Sequence, residues 1–217
     1  MGLKSFLPYG LLLALLMSFP LRVLAQSGGW WVVRAPMTSS RTEVAVVEVG
    51  GKLYVIGGFG QGGELVEEYD PLKDQWTKRA SIPTPRDHLA IGVVGGKLYA
   101  IGGRLDGRHA KNLTANEEYD RVADRWRSRA AMPTARSGIA AAVLEGRIFV
   151  FGGEAPSGTF NQNESYDPAA NGWSARAPMP TARHGLGAAV VGKRIYVISG
   201  GPKPGGTYSS ANEVFTP

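Results

Sequence analysis

The sequence predicts an all-β propeller of four repeated sheets, and three regular spacings predict it. A glycine pair recurs at intervals of 45, 50 and 48 residues. An aromatic residue lies downstream of each pair, and in three repeats a tryptophan follows it after seven residues and an arginine ten residues later. A period near fifty residues indicates propeller blades. The glycine pairs are Gly57-Gly58, Gly102-Gly103, Gly152-Gly153 and Gly200-Gly201, and the aromatic residues are Tyr69, Tyr119, Tyr166 and Phe215. The tryptophans are Trp31, Trp76, Trp126 and Trp173, and the arginines are Arg41, Arg86, Arg136 and Arg183.

The second repeat shows how one blade is built. The apolar stretch Leu89–Val94 predicts a strand buried on both faces, and Gly95-Gly96 predicts a two-residue hairpin turn. Lys97–Ile101 predicts the second strand, Asn116–Asp120 the third and Arg125–Arg127 the fourth. Four short antiparallel strands in one repeat are typical of a propeller blade.

These motifs resemble the kelch-repeat family, and the resemblance covers everything after about residue 29. The resemblance implies a closed ring of blades whose tyrosines and tryptophans pack between neighbouring sheets. It does not imply one activity, because a scaffold of this kind hosts many functions.

The two ends of the repeated region predict how the ring closes. Trp30–Arg34 has the spacing of a fourth strand with no preceding three, and Asn212–Pro217 supplies a third strand with no fourth. We therefore expect residues 26–217 to form a single domain of four blades, closed by a 3+1 clasp between the N- and C-terminal strands. The alternatives are a degraded gene and a half-ring that dimerises, so a monomer is expected and a dimer is the alternative.

Residues 1–25 have the layout of a secretory signal peptide. Lys4 gives a positive start, Leu11–Phe19 is apolar, and Val23–Ala25 offers a small-residue cleavage pattern. The apolar run is shorter than the roughly 18 residues that a membrane span needs. We expect an exported protein, periplasmic or secreted, with no membrane span after cleavage.

Composition restricts the chemistry. The formal net charge is +6 without a Lys/Arg run, which does not favour nucleic acid as a partner. The chain has no cysteine, and therefore no disulfide and no thiol nucleophile. Galactose oxidase also carries kelch-like repeats, but its copper-radical cofactor needs a cysteine cross-linked to a tyrosine. We therefore do not expect that activity, and we predict neither a cofactor nor a metal.

The arginine column is the predicted ligand-binding set. Arg41, Arg86, Arg136 and Arg183 precede the innermost strand of each blade, and a propeller would place them as a ring around one mouth of its channel. Such a ring could bind carboxylates or phosphates through charge-assisted hydrogen bonds. The resemblance implies the same, since arginines at matching loop positions of peptide-binding kelch domains contact acidic motifs. The alternative is that each arginine bonds carbonyls of a neighbouring blade.

Departures from the repeat give a second set. The positions just after each arginine place Glu43, Asp87, His88 and His184 beside the ring, and a carboxylate with an imidazole can transfer protons. Kelch-fold mutarotases that act on sialic acid are similar in kind, although they are longer and six-bladed. These four residues are weak catalytic candidates, and solvated loop residues are the alternative.

The sequence thus favours an exported interaction module that binds a protein or glycan ligand, expected to be acidic, on the arginine-rimmed face. The alternatives are a sugar-active enzyme, such as an epimerase or mutarotase of acidic sugars, and a structural envelope protein. Asn112 and Asn163 match the glycosylation acceptor pattern. Asn163 also occupies a position shared between repeats, which favours a structural role.

Overall fold

The computed structural model describes residues 29–217, and the predicted leader at 1–25 lies outside this range. Residues 34–217 form one compact unit. Strands dominate it, and the only helix among the described residues is a 3-10 turn at His109–Lys111. No helix in this part of the chain is long and apolar enough to cross a membrane.

The first two blades comprise ten strands. Their bounds are β1 (Arg41–Thr42), β2 (Ala45–Val49), β3 (Lys52–Ile56), β4 (Phe59–Gly60), β5 (Val66–Asp70), β6 (Gln75–Arg79), β7 (Ala90–Val94), β8 (Lys97–Ile101), β9 (Asn116–Asp120) and β10 (Arg125–Ser128).

The last two blades comprise nine strands. Their bounds are β11 (Ala140–Leu144), β12 (Arg147–Phe151), β13 (Glu154–Ala155), β14 (Gly158–Thr159), β15 (Asn163–Asp167), β16 (Gly172–Ala175), β17 (Gly187–Val191), β18 (Arg194–Ile198) and β19 (Asn212–Phe215).

Each blade is an antiparallel meander. The strand orders are β2-β3-β5-β6, β7-β8-β9-β10, β11-β12-β15-β16 and β17-β18-β19, while β1-β4 and β13-β14 are two-residue pairs in the loops. The aromatic residue of the third strand lies opposite the tryptophan of the fourth, as in Tyr119 and Trp126. Their rings are 5.0 Å apart and tilted by 33°, so they pack as one unit.

Blades are joined by their side chains. Three apolar clusters form the core, and each is built from two successive blades. Trp126 also donates a 2.8 Å hydrogen bond from Nε1 to the carbonyl of Ala80, at the end of the preceding blade, and Trp173 bonds Ala130 in the same way. The repeated tryptophan therefore binds one blade to the preceding one, in agreement with the predicted packing of tryptophans between blades.

The structure confirms an all-β propeller arrangement of four blades and differs from the prediction at its ends. Among residues 29–217 the last sheet has three strands, and residues 29–40 form no strand. The predicted clasp is therefore not formed. A clasp requires the first and last blades to lie side by side. The innermost strands pack as β2 on β7, β7 on β11 and β11 on β17, without a comparable packing of β17 on β2.

Candidate functional site

The predicted ring of arginines lies inside the blades. The side chains of Arg41, Arg86, Arg136 and Arg183 have no exposed surface, and each is paired with a glutamate of the third strand. These ion pairs are Arg41–Glu67 at 2.5 Å, Arg86–Glu117 at 2.5 Å, Arg136–Glu164 at 2.7 Å and Arg183–Glu213 at 2.8 Å. As placed, these guanidinium groups cannot touch a ligand.

Backbone carbonyls complete the environment of each arginine. Arg136 donates to the carbonyl of Gly152 at 2.5 Å and to that of Val150 at 3.3 Å. Burial lowers the pKa of Arg136, while the hydrogen bond and the charge of Glu164 act in the opposite direction. The arginines bond backbone carbonyls, as in the alternative drawn from the sequence, but these carbonyls belong to the arginine's own blade and not to a neighbouring one. The sequence analysis does not name the paired glutamates, although three of them lie nine residues before a tryptophan.

Two residues after each repeated arginine, the chain turns into the innermost strand of the blade, and these four turns lie next to one another. Glu43, His88, Gly138 and Gly185 all have a left-handed backbone, with φ between 53° and 64°. The N–H of His88 bonds the carbonyl of Glu43, Gly138 bonds His88, and Gly185 bonds Gly138, at 3.4, 3.0 and 2.8 Å. Two blades thus place a side-chain-bearing residue where the other two place glycine, at a cost of about 1–2 kcal/mol for each residue. Glu145 has a similar φ in a hairpin turn, so these two positions are distinguished by their departure from the glycine of the other repeats and not by φ itself.

The two strained residues face each other. His88 Nδ1 lies 2.6 Å from Asp87 Oδ1, and its Nε2 lies 2.8 Å from Arg104 Nη2 and 3.3 Å from Glu43 Oε2. Because arginine can only donate, Nε2 accepts from Arg104 and Nδ1 carries the proton donated to Asp87. Asp87 and Arg104 therefore hold the imidazole in one orientation and one tautomer, with the Glu43 carboxylate beside it.

Arg104 links this group to a second one. Its Nε lies 3.2 Å from Asp87 Oδ1 and its Nη1 lies 2.8 Å from Glu154 Oε1. Glu154 is also approached by His109 Nε2 at 3.2 Å and His184 Nδ1 at 3.5 Å. The three histidines of the chain therefore belong to one network. We call Glu43, Asp87, His88, Arg104, His109, Glu154 and His184 the mouth cluster.

Glu154 is buried, and its charge is compensated locally. Burial alone would raise its pKa, but the hydrogen bonds from the Gly205 N–H and Arg104, together with the electrostatic influence of the nearby His184 and His109, lower it. Glu154 is therefore an ionised anchor for the side chains around it.

The repeat spacing predicts that Glu43, Asp87, His88 and His184 lie together, and all four are found in the mouth cluster. It did not place Arg104 and Glu154 there. These two residues directly follow the glycine pairs of the second and third blades, and each bridges back to the loop that enters its blade, Arg104 to Asp87 and Glu154 to Ser137. The available signal was the position after the glycine pair, which reads Phe59, Arg104, Glu154 and Pro202 around the four repeats.

A cleft of about 300 Å³ opens on the same face, between the first two blades. Phe59 and Asp106 line it on the loop side, and Asp87 joins it to the mouth cluster. Most of its remaining wall is backbone of the glycine-rich segment 58–63. Among residues 29–217, no group of three or more histidine, aspartate or glutamate side chains is arranged to hold a metal ion.

Comparison with known proteins settles the family. The model described as the KLHDC2/KLHL20/DRC7 Kelch-repeats domain matches residues 43–216. The chain belongs to the kelch-repeat family. No curated protein matches it. Among solved structures it resembles the one titled "Structure of YjhT", with a TM-score of 0.69 and 19% identity, over 86% of this chain and 68% of that one. At this identity the likeness shows a shared fold alone.

A substitution that relieves backbone strain tests whether Glu43, a member of the mouth cluster, contributes to the stability of the kelch fold. Glu43→Gly is expected to leave the free energy of unfolding unchanged or to raise it by up to about 1 kcal/mol, because glycine adopts φ near 53° without a steric penalty. Urea unfolding would measure this. Glu145→Gly is the matched control, since Glu145 has φ 51° in an exposed hairpin turn. A loss at Glu43 without a loss at Glu145 would show that Glu43 supports the fold.

Proposed function

We propose that this kelch domain is an exported interaction module that binds a protein segment or a glycan at the mouth cluster. The observation that carries the proposal is the placement of polar side chains where the repeat does not need them. The blades use glycine at the innermost turn in two repeats, yet Glu43 and His88 occupy it in the other two despite the strained backbone. A rigid propeller that presents such residues at its mouth is suited to recognition.

The charges of the cluster guide the choice of ligand group. The expected acidic ligand depended on the arginine column, whose charges are neutralised inside the blades. In the cluster itself, Arg104 is the only arginine and is engaged by Asp87 and Glu154. The most accessible group is the half-exposed carboxylate of Glu43. We therefore favour a ligand that donates hydrogen bonds to Glu43, such as a sugar hydroxyl or a peptide amide, with Phe59 offering an exposed apolar surface nearby.

A thermal-shift screen of the full chain against neutral sugars, acidic sugars and short peptides tests the proposal. A ligand that binds only the folded protein stabilises it by about 2.7 kcal/mol at a hundred times its dissociation constant. We expect Glu43→Gln to reduce the shift and to weaken binding by about tenfold or more, since a charge-assisted hydrogen bond is lost.

The control is Glu48→Gln, which changes the same side chain near the other end of strand β2 and is exposed. It should leave the ligand response intact. An equal response of the two variants would remove Glu43 from the binding site. If no sugar or peptide raises the melting temperature, the next candidate ligand is a folded protein.

A second candidate is a sugar-active enzyme, such as an epimerase or mutarotase. The Asp87–His88 pair beside Glu43 is the observation behind it, because a histidine held by a carboxylate can act as a general base once Arg104 releases its Nε2. Anomer exchange followed by NMR would test it with both neutral and acidic sugars. An enzyme should lose turnover in Glu43→Gln while still binding, whereas a binding module shows no turnover at all. The third reading, a structural envelope protein, predicts no ligand response in any variant.

A further inference from the structure

One buried glutamate of the repeat is replaced in the third blade. The third residue of the third strand is Glu68 in the first blade, Glu118 in the second, Ser165 in the third and Val214 in the fourth. Both glutamates are almost completely buried, and basic side chains surround each carboxylate. The serine therefore removes a carboxylate from a place where the fold provides partners for one.

The first blade shows how such a carboxylate is held. Glu68 accepts a 2.6 Å hydrogen bond from Lys52 and one of 2.5 Å from the hydroxyl of Tyr54. Arg79 donates two more at 3.0 Å, one to each carboxylate oxygen. Burial alone would raise the pKa of Glu68, but these hydrogen bonds lower it to about 2. The surroundings therefore favour a carboxylate in its ionised form.

The third blade keeps the basic side chains and lacks the glutamate. Arg147 begins its second strand as Lys52 does in the first blade. Arg176 lies three residues after the tryptophan, as Arg79 does. Its Nε donates to Ser165 Oγ at 2.8 Å, and within the described part of the chain it forms no ion pair. A guanidinium group is thus left without the carboxylate that its position has in the first two blades.

The result is an excess of positive charge around a small cleft. The first blade matches its two cations with two carboxylates. The third blade also has two cations, and the one carboxylate at the matching positions is Asp167, 3.4 Å from Arg147 Nε. A cleft of about 160 Å³ is lined by Arg147, Ser165 and Arg176, which we call the rim site. Its size suits an ionised head group rather than a whole large ligand.

Solvent reaches this position even where the next blade is complete. The second blade is followed by a four-stranded sheet, yet the side chains of Lys97 and Arg127 beside Glu118 are 38% and 56% exposed. The side chain of Arg147 in the rim site is 50% exposed. Access from the outer edge of the third blade therefore does not depend on how far the fourth blade extends.

We propose that the rim site binds the carboxylate group of a small acidic molecule, which takes the place of the missing glutamate. Arg147 and Arg176 hold it by charge-assisted hydrogen bonds, as the first blade holds its own glutamate. The rim site is separate from the mouth cluster, because Arg147 lies at the start of β12 and Glu154 follows the other end of that strand.

Thermal unfolding of the full chain with sodium glucuronate or sodium acetate tests the proposal, with sodium chloride at equal ionic strength as the reference. We expect a saturable rise of the melting temperature with at least one of the two carboxylates. A rise with both shows that the carboxylate alone is recognised, and a rise with glucuronate only shows that the sugar is contacted as well. No rise with either would overturn the proposal.

Ser165→Glu supplies the missing carboxylate from the chain itself. It should raise the melting temperature of the ligand-free protein by about 2 °C or more and weaken binding of the carboxylate probe by about tenfold or more. The matched control is Arg125→Ala, which removes an exposed arginine at the corresponding cleft of the second blade, where Glu118 is in place. It should leave binding unchanged. A lower melting temperature in a folded Ser165→Glu variant would show that the rim site does not hold a carboxylate.

Two further variants complete the test. If Ser165→Glu does not fold, Arg147→Ala replaces it, because its surface ion pair contributes little to stability, and it should weaken binding by about fivefold or more. Glu43→Gln should leave the response to carboxylates intact, so the rim site and the mouth cluster can fail separately. A response that persists in Ser165→Glu, or that disappears in Glu43→Gln, would contradict the proposal.

Discussion

Arg136→Ala is expected to lower the free energy of unfolding by about 3–5 kcal/mol, because it leaves the carboxylate of Glu164 buried without its partner. The ion pair is 2.7 Å long and the Arg136 side chain has no exposed surface. The same guanidinium also donates to the carbonyls of Gly152 and Val150, which lose these donors in the variant. A single substitution thus removes the charge that holds the entry loop of the third blade to its second and third strands.

Urea unfolding at one fixed protein concentration measures this loss. Arg147→Ala is the control, because Arg147 pairs with Asp167 at 3.4 Å on the surface and is half exposed. Such a surface pair contributes at most about 1 kcal/mol. If Arg136→Ala were no more costly than Arg147→Ala, the buried arginines would not hold the blades together. Their recurrence in every repeat would then need a functional explanation.

The fold could be predicted from the sequence because the same local pattern occurs in each of the four repeats. Glycine pairs, tyrosines and tryptophans recur at fixed spacing, and Trp126 and Trp173 make the same bond to the preceding blade. The closure could not be predicted in the same way. It depends on how successive blades pack against each other, and the side chains at these junctions, such as Ile91 in one cluster and Ile101 in the next, form no sequence motif.

The site was predicted in part for a related reason. The sequence distinguishes four residues because they depart from a repeated position. Equivalent positions of successive blades lie close together in the fold, so Glu43, Asp87, His88 and His184 come together. Arg104 and Glu154 lie far from them in sequence and reach the mouth only because a blade returns its loop to the same face. The sequence could not show that the four arginines point into their own blades, because a residue repeated around an axis can point inward to its blade as well as toward the channel.

Gly152→Ala is expected to lower the free energy of unfolding by about 2–5 kcal/mol, since it combines two penalties. The backbone at Gly152 is left-handed, with φ of 63°. An added Cβ would lie 2.4 Å from the carbonyl oxygen of Arg183 and 2.9 Å from a methyl carbon of Leu186. The first of these atoms belongs to the backbone of the next blade and cannot move without disturbing the junction. The repeated glycine is therefore required by the approach of two blades.

Gly146→Ala separates the two penalties. Gly146 is also left-handed, with φ of 74°, but an added Cβ there meets nothing within 4 Å. This control should cost only the conformational penalty of about 1–2 kcal/mol. The difference between the two variants in urea unfolding then measures the inter-blade contact alone. Equal losses would mean that the junction between the third and fourth blades accommodates the added methyl group easily.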